Sequence, residues 1–157
     1  RERGEKLLLV LLDHVQDPIH LGTVIRSAHI LGAHGVIVPK DRAVGLTPAA
    51  IKASAGAAAH LPVARVTNLA RALDELRDAG IRVVGADMEG EPCDRAELEG
   101  PICLVIGSEG AGLRRLTRER CDAIVSIPMV AEGVASFSVS ASASILLYEV
   151  FRRRNAG

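Results

Sequence analysis

Leu104-Val105-Ile106-Gly107-Ser108-Glu109-Gly110-Ala111-Gly112-Leu113 begins as a short apolar run and breaks into three glycines within six residues, with one carboxylate among them. The apolar run predicts a buried strand. Glycines at its end permit a sharp turn and let a ligand approach the peptide groups closely. Open α/β sheets bind ligands where a strand runs out into such a loop. A plain glycine-rich turn is the competing reading. The loop lacks the GxGxxG spacing of dinucleotide sites, and no GK[ST] follows for a phosphate loop. Its carboxylate repels phosphate but suits a cation or hydroxyl donors. A ligand bearing a sulfonium or a ribose therefore fits better than a nucleoside triphosphate.

Outward from this stretch, apolar runs alternate with helical patterns. Residues 7–12, 35–38, 61–66, 81–86, 102–106 and 123–127 read as strands. Residues 13–20 read as a polar loop, and a helix is expected over 21–31, where Leu21, Val24, Ile25, Ala28 and Leu31 share a face. Thr47-Pro48 starts a short helix, and Thr67 or Asn68 starts another with Leu69, Leu73 and Leu76 on one stripe. An acidic loop is expected over 87–100, a short basic helix over 114–120 and a final helix over 139–154. Such alternation predicts an α/β fold, its mostly parallel sheet covered by helices on both faces.

The chain has 157 residues, enough for one domain with a sizeable core. Nineteen Lys and Arg balance nineteen Asp and Glu, so no overall basic field announces nucleic acid. Aromatics are 2% of residues, too few for a base-stacking platform. Cys93, Cys103 and Cys121 lack metal-ligand spacing, so no metal site is expected. Their odd, sparse count fits a reducing cytoplasm. No apolar run is long enough to span a membrane. Residues 1–6 read as a charged tail, expected to lead from a further N-terminal RNA-binding domain, with the folded domain over 7–157.

Several side chains have a bland and a chemical reading. Ser140, Ser142 and Ser144 fit a tightly packed small-residue helix, and no GxSxG elbow supports a nucleophile. Ser136 and Ser138 precede that helix, where hydroxyls cap or bind ligand. Arg26 and His20 read as a solvated helix residue and a loop residue, or as site residues. Arg114 and Arg115 head a basic run that is either a solvated face or a set of phosphate contacts. The tail Arg152-Arg153-Arg154 complements a helix C-terminus.

Three separated segments fit one pattern. Asp17-Pro18-Ile19-His20-Leu21-Gly22-Thr23-Val24-Ile25-Arg26-Ser27-Ala28 resembles the first motif of the SpoU/TrmH family of RNA ribose methyltransferases. Residues 104–113, continuing to Ile127-Pro128-Met129, resemble the second, and Ser136-Phe137-Ser138-Val139-Ser140 with residues 141–145 the third. Residues 36–40, 52–57 and 63–69 resemble the bacterial branch that methylates a guanosine of 23S ribosomal RNA. The resemblance implies a deep C-terminal trefoil knot, S-adenosyl-L-methionine held in it, a homodimer, and methyl transfer to a ribose 2′-hydroxyl of RNA. It places Arg26, Glu109 and Ser136 at catalytic positions. Ile106, Gly107, Gly110, Ile127, Met129, Ser136 and Phe137 fall at cofactor positions, and Ser54, Ala55 and Gly56 are expected to line the same pocket. Arg26, Arg114 and Arg115 are the expected RNA contacts.

The pattern is broken twice. The family has asparagine where this chain has His20, and again where it has Ser138. Both changes fall at the implied reaction centre, and both residues are retained as catalytic candidates there. Histidine is a better proton acceptor at neutral pH than asparagine. Arginine is almost never deprotonated, so Arg26 is expected to orient phosphate or stabilise an alkoxide. A transfer-RNA or antibiotic-resistance methyltransferase of the same family, and a member that binds cofactor and RNA without catalysis, stand as alternatives.

Overall fold

Five of the six residues of β1 (Leu8–Asp13) are buried, as a strand with neighbours on both edges and both faces requires. The computed structural model, which describes residues 6–40, 46–108, 112–130 and 137–156, pairs β1 in parallel with β2 (Gly35–Pro39) and β5 (Ile102–Gly107). Beyond β2 lies β3 (Val63–Val66), and beyond β5 lie β4 (Arg82–Pro92) and β6 (Ala123–Ser126). All five pairings are parallel, in the order β3-β2-β1-β5-β4-β6. The expected parallel α/β sheet is the one observed.

Alternation along the strands divides the core into two layers. Leu8, Val10 and Leu12 pack with Leu21, Val24 and Ile25 of α1 (Pro18–Ile30), Ala50 of α2 (Pro48–Ala53) and Leu146, Leu147 and Val150 of α5 (Val139–Arg154). Leu11 points the other way, with Val83, Cys103 and Val105, onto Leu69 and Leu73 of α3 (Leu69–Asp78). The short α4 (Arg115–Glu119) follows the glycine loop, and Asn68, Thr47 and Ser138 cap α3, α2 and α5 through their side chains.

Two boundaries differ from expectation. The Asp17 carboxylate accepts from the Ile19 amide at 2.8 Å, and Pro18 takes the first helical position. Helix α1 therefore starts before Leu21, and His20 lies in its first turn rather than in a loop. Strand β4 runs on to Pro92, through the segment expected as an acidic loop. Ala86 and Glu91 both face Val125 of β6, so residues 87–90 bulge out of the ladder. Gly90 permits the close approach, since a Cβ there would stand 2.6 Å from the Val125 backbone.

The C-terminal arginines do more than complement a helix end. Arg153 donates to Glu149 at 2.7 Å, to the Cys93 carbonyl at 2.7 Å and to the Ala96 carbonyl. Arg154 donates to the carbonyls of Lys6, Leu7 and Gly100, at 2.7, 3.1 and 3.1 Å. Burial lowers the Arg154 pKa. Together they fasten α5 to the 93–100 loop and to the start of β1. Arg153→Ala leaves two carbonyls without a donor, and we expect a loss of about 3 kcal/mol, read as a fall in Tm of about 6–12 °C.

Residues 1–5 of the expected tail lie outside the described residues. The three cysteines are unbridged. Burial raises the pKa of each, and Cys121 is pushed up to about 11. Among the described residues no helix is long and apolar enough to cross a membrane, and no three side chains gather as a metal site.

Candidate functional site: a cavity at the carboxyl edge of the sheet

Strands β4, β5 and β6 end side by side, and a cavity of about 360 Å³ opens at their carboxyl ends. That is the edge where parallel sheets bind ligands. Its walls come from four segments: Ala86 to Glu89 at the β4 bulge, Ile106 to Ser108 with Gly112, Val125 to Met129, and Phe137 to Ser142. Of the expected cofactor residues, Ile106, Gly107, Ile127, Met129 and Phe137 line it together.

The glycine loop closes tightly on itself. Ser108 and Gly112 form an isolated antiparallel bridge, and the Gly112 amide donates to the Ser108 carbonyl at 2.8 Å. A Cβ on Gly107 would stand 2.3 Å from the Gly112 carbonyl group. Gly112 itself has φ +70°, a left-handed conformation suited to glycine.

The charge of the lining suits a particular ligand class. Among the described residues it contains two carboxylates, Asp87 and Glu89, and no Lys, Arg or His. Arg118 pairs with Asp87 at 2.6 Å, while Glu89 is exposed and forms no ion pair with the described residues. A phosphate-bearing ligand would find no countercharge in this lining. A ligand with hydroxyls or a positive centre would find acceptors, and the Phe137 ring and Met129 side chain offer apolar surface beside them.

Arg114 is anchored beside the loop by a residue that sequence reasoning missed. Asp13 is fully buried at the end of β1, opposite Gly107 in register. Its two oxygens accept from the Arg114 amide at 3.0 Å and from Arg114 Nε at 2.8 Å. A lone carboxylate closing an apolar run was the available signal. Arg115 is solvated and pairs with Glu119 at 3.1 Å. The acidic wall at Asp87 and Glu89 was also missed, because only the bulge brings it to the cavity.

The first and third motifs meet along α1 and α5. His20 Nδ1 lies 2.8 Å from Ser140 Oγ, Thr23 Oγ1 lies 2.5 Å from the same oxygen, and Ser27 Oγ lies 2.8 Å from Ser144 Oγ. Two of the small-residue serines are thus helix-to-helix contacts, while Ser142 faces the cavity. Ser138 Oγ accepts from the Ala141 amide at 3.2 Å, so this catalytic candidate caps α5. Arg26 is exposed on α1, outside the cavity lining, and bonds to none of the described residues. Ser54, Ala55 and Gly56 do not line the cavity either. Ser54 is buried at the end of α2, donating to the Ile51 carbonyl at 2.6 Å, and small side chains there let α2 pack on α1. Glu109, Gly110 and Ser136 lie outside the described residues.

The model of the SpoU rRNA Methylase family matches residues 7–148. The 23S rRNA (guanosine-2′-O-)-methyltransferase RlmB of Coxiella burnetii is 48% identical over 157 residues, covering 99% of this chain and 62% of that protein. The RlmB of Ralstonia nicotianae is 50% identical over 149 residues, covering 94% of this chain and 59% of that protein. The crystal structure of the SpoU methyltransferase AviRb from Streptomyces viridochromogenes in complex with AdoMet superposes with a TM-score of 0.90 at 37% identity, over 98% of this chain and 60% of that one. The chain spans 48 to 62% of the length of the first curated relatives it matches.

Proposed function

Because the chain belongs to the SpoU rRNA methylase family, we propose that it transfers a methyl group from S-adenosyl-L-methionine to a ribose 2′-hydroxyl of RNA, at a guanosine of 23S ribosomal RNA. The observation that carries this reading is the cavity itself: lined by Gly107, Ser108 and Gly112, walled by two carboxylates and, among the described residues, free of basic side chains. S-adenosyl-L-methionine, when bound, supplies an activated methyl group on a sulfonium and carries no phosphate. Ile106, Gly107, Ile127, Met129 and Phe137 would hold it, with Gly110 and Ser136 added by the motif match. Glu109 is read as an acceptor near the substrate.

The chain's own residues have three tasks. The hydroxyl must be aligned with the methyl group, its proton must be accepted, and RNA phosphates must be gripped beside the cavity. Arg114, held rigid by Asp13, and the solvated Arg115 are assigned the phosphates. Arg26 is assigned the developing alkoxide or its neighbouring phosphate. His20 is assigned the proton.

Arg26 is exposed and outside the lining of its own chain's cavity, so we read the active unit as a homodimer in which a second copy brings it. Ile19, Arg26 and Ile30 lie within about 40° of one another around α1. Ile19 and Ile30 are 58% and 65% exposed, an apolar stripe framing the arginine. The C-terminal part is read as a trefoil knot. Insertion of β5 between β1 and β4, and return of the chain from edge strand β6 to α5 against α1, support that path. The unbridged thiols support a cytoplasmic setting.

Calorimetry with S-adenosyl-L-methionine, followed by incorporation of labelled methyl into 23S ribosomal RNA transcripts, tests the reading. One cofactor per chain and a mapped 2′-O-methylguanosine are expected. Binding without incorporation into any RNA would favour a non-catalytic member, and absence of binding would overturn the reading.

A further inference from the structure

Three side chains at the contact of α1 and α5, His20, Thr23 and Ser140, form one connected set of hydrogen-bond contacts. Thr23 Oγ1 lies 3.1 Å from both the Ile19 and the His20 carbonyl oxygens. It also lies 2.5 Å from Ser140 Oγ, which is 2.8 Å from His20 Nδ1. Each hydroxyl has one proton to give. Carbonyl oxygens only accept, so the Thr23 proton belongs between Oγ1 and the two carbonyls. With the Thr23 proton on the carbonyls, Ser140 supplies the proton of the short hydroxyl contact. Ser140 then has none left for the imidazole, and His20 Nδ1 is the donor to Ser140 Oγ; the reverse order, Thr23 to Ser140 to Nδ1, would give the Nε2–H form.

We propose that Ser140 and Thr23 are positioning residues that hold the His20 imidazole as its Nδ1–H tautomer, leaving Nε2 as a bare acceptor for the ribose 2′-hydroxyl proton. This rests on the methyltransferase reading above. In the step, the hydroxyl proton passes to His20 Nε2 and an oxygen electron pair forms the bond to the methyl carbon. The carbon–sulfur pair returns to sulfur, leaving a neutral thioether, and the imidazolium releases its proton to solvent. Asparagine at position 20 has no lone pair basic enough for this role. The substitution would thus install a proton acceptor where the family motif has an amide. In general-base sites the partner of one ring nitrogen selects the tautomer of the other.

The tautomer is readable without cofactor or RNA. Two-bond proton–nitrogen correlation spectra of the ¹⁵N-labelled protein resolve its five histidines, and His20→Asn identifies the His20 signals by their loss. A protonated Nδ1 and an unprotonated Nε2 are expected for His20. Thr23→Val and Ser140→Ala should each shift His20 toward the Nε2–H form, and Thr23→Ser should restore the Nδ1–H form. In turnover, His20→Asn should lower kcat about 100-fold and Thr23→Val about 10-fold, with KM for RNA within about twofold. An Nε2–H tautomer in the wild type overturns the proposal, as does an unchanged kcat in His20→Asn. Failure of the methyltransferase reading shows separately, as absence of S-adenosyl-L-methionine binding to the wild type.

Discussion

Gly107→Ala is expected to abolish cofactor binding in the calorimeter, with Kd raised at least about 100-fold, and to cost about 3 kcal/mol of stability. The added methyl would lie 2.3 Å from the Gly112 carbon and oxygen and 2.6 Å from the Leu113 amide. All three are backbone atoms, so no side chain can rotate away. Relief requires opening the Ser108–Gly112 bridge, and that displaces Ser108 and Gly112, both of which line the cavity. Gly32→Ala is the control. Gly32 has φ +87°, so alanine is strained there, but nothing lies within 4 Å of its Cβ. A loss of about 1 kcal/mol with unchanged cofactor affinity is expected at that site. Equal affinity losses in the two variants would show that backbone strain, not loop closure, governs binding.

Arg26→Ala is expected to lower methyl transfer about 100- to 1,000-fold while leaving the fold and cofactor affinity intact. The arginine bonds to none of the described residues, so its removal orphans no partner among them. Arg26→Lys should not rescue the rate, because an ammonium cannot reproduce a planar two-pronged donor. The dimer reading adds a sharper test. An Arg26→Ala chain keeps a sound cavity, and a Gly107→Ala chain keeps a sound arginine. Mixed in equal amounts, they should recover about a quarter of wild-type activity if the arginine serves the neighbouring copy's cavity. If it serves its own chain, the mixture should stay as inactive as its parts.

The sequence was most readable where a local signal and its structural consequence lie within a few residues of each other. Thr47-Pro48 starts α2, Asn68 caps α3, and the apolar run at 102–106 is the core of β5. Ile106, Gly107, Ile127, Met129 and Phe137, which line one cavity together, could be named because three motifs recur in order. What sequence did not disclose depends on register and on distant partners. Asp13 and Arg114 are joined by a parallel pairing that no local pattern announces. Asp87 and Glu89 reach the cavity only because Ala86 and Glu91 compete for Val125. His20 was misplaced for a nearer reason: Asp17-Pro18 is a helix start, and the apolar periodicity that begins at Leu21 drew the boundary too late. Ser54 to Gly56 carried a resemblance, but Ser54 is buried at the end of α2, Ala55 and Gly56 are exposed, and none of the three lines the cavity.

The placement of β5 beside β1 also bears on how the chain comes to be made. Register pairs Leu8 with Ile102, so one edge of the central strand waits for a partner 94 positions later. At ribosomal rates of about 5–20 residues per second, that edge stays unpaired for about 5–20 s. The waiting segment, Leu-Leu-Val-Leu-Leu-Asp, bears a single charge and no proline, the composition most apt to pair with another nascent chain. Slower initiation, lower growth temperature or a chaperone that shields the first strand would therefore raise soluble yield without altering the finished protein.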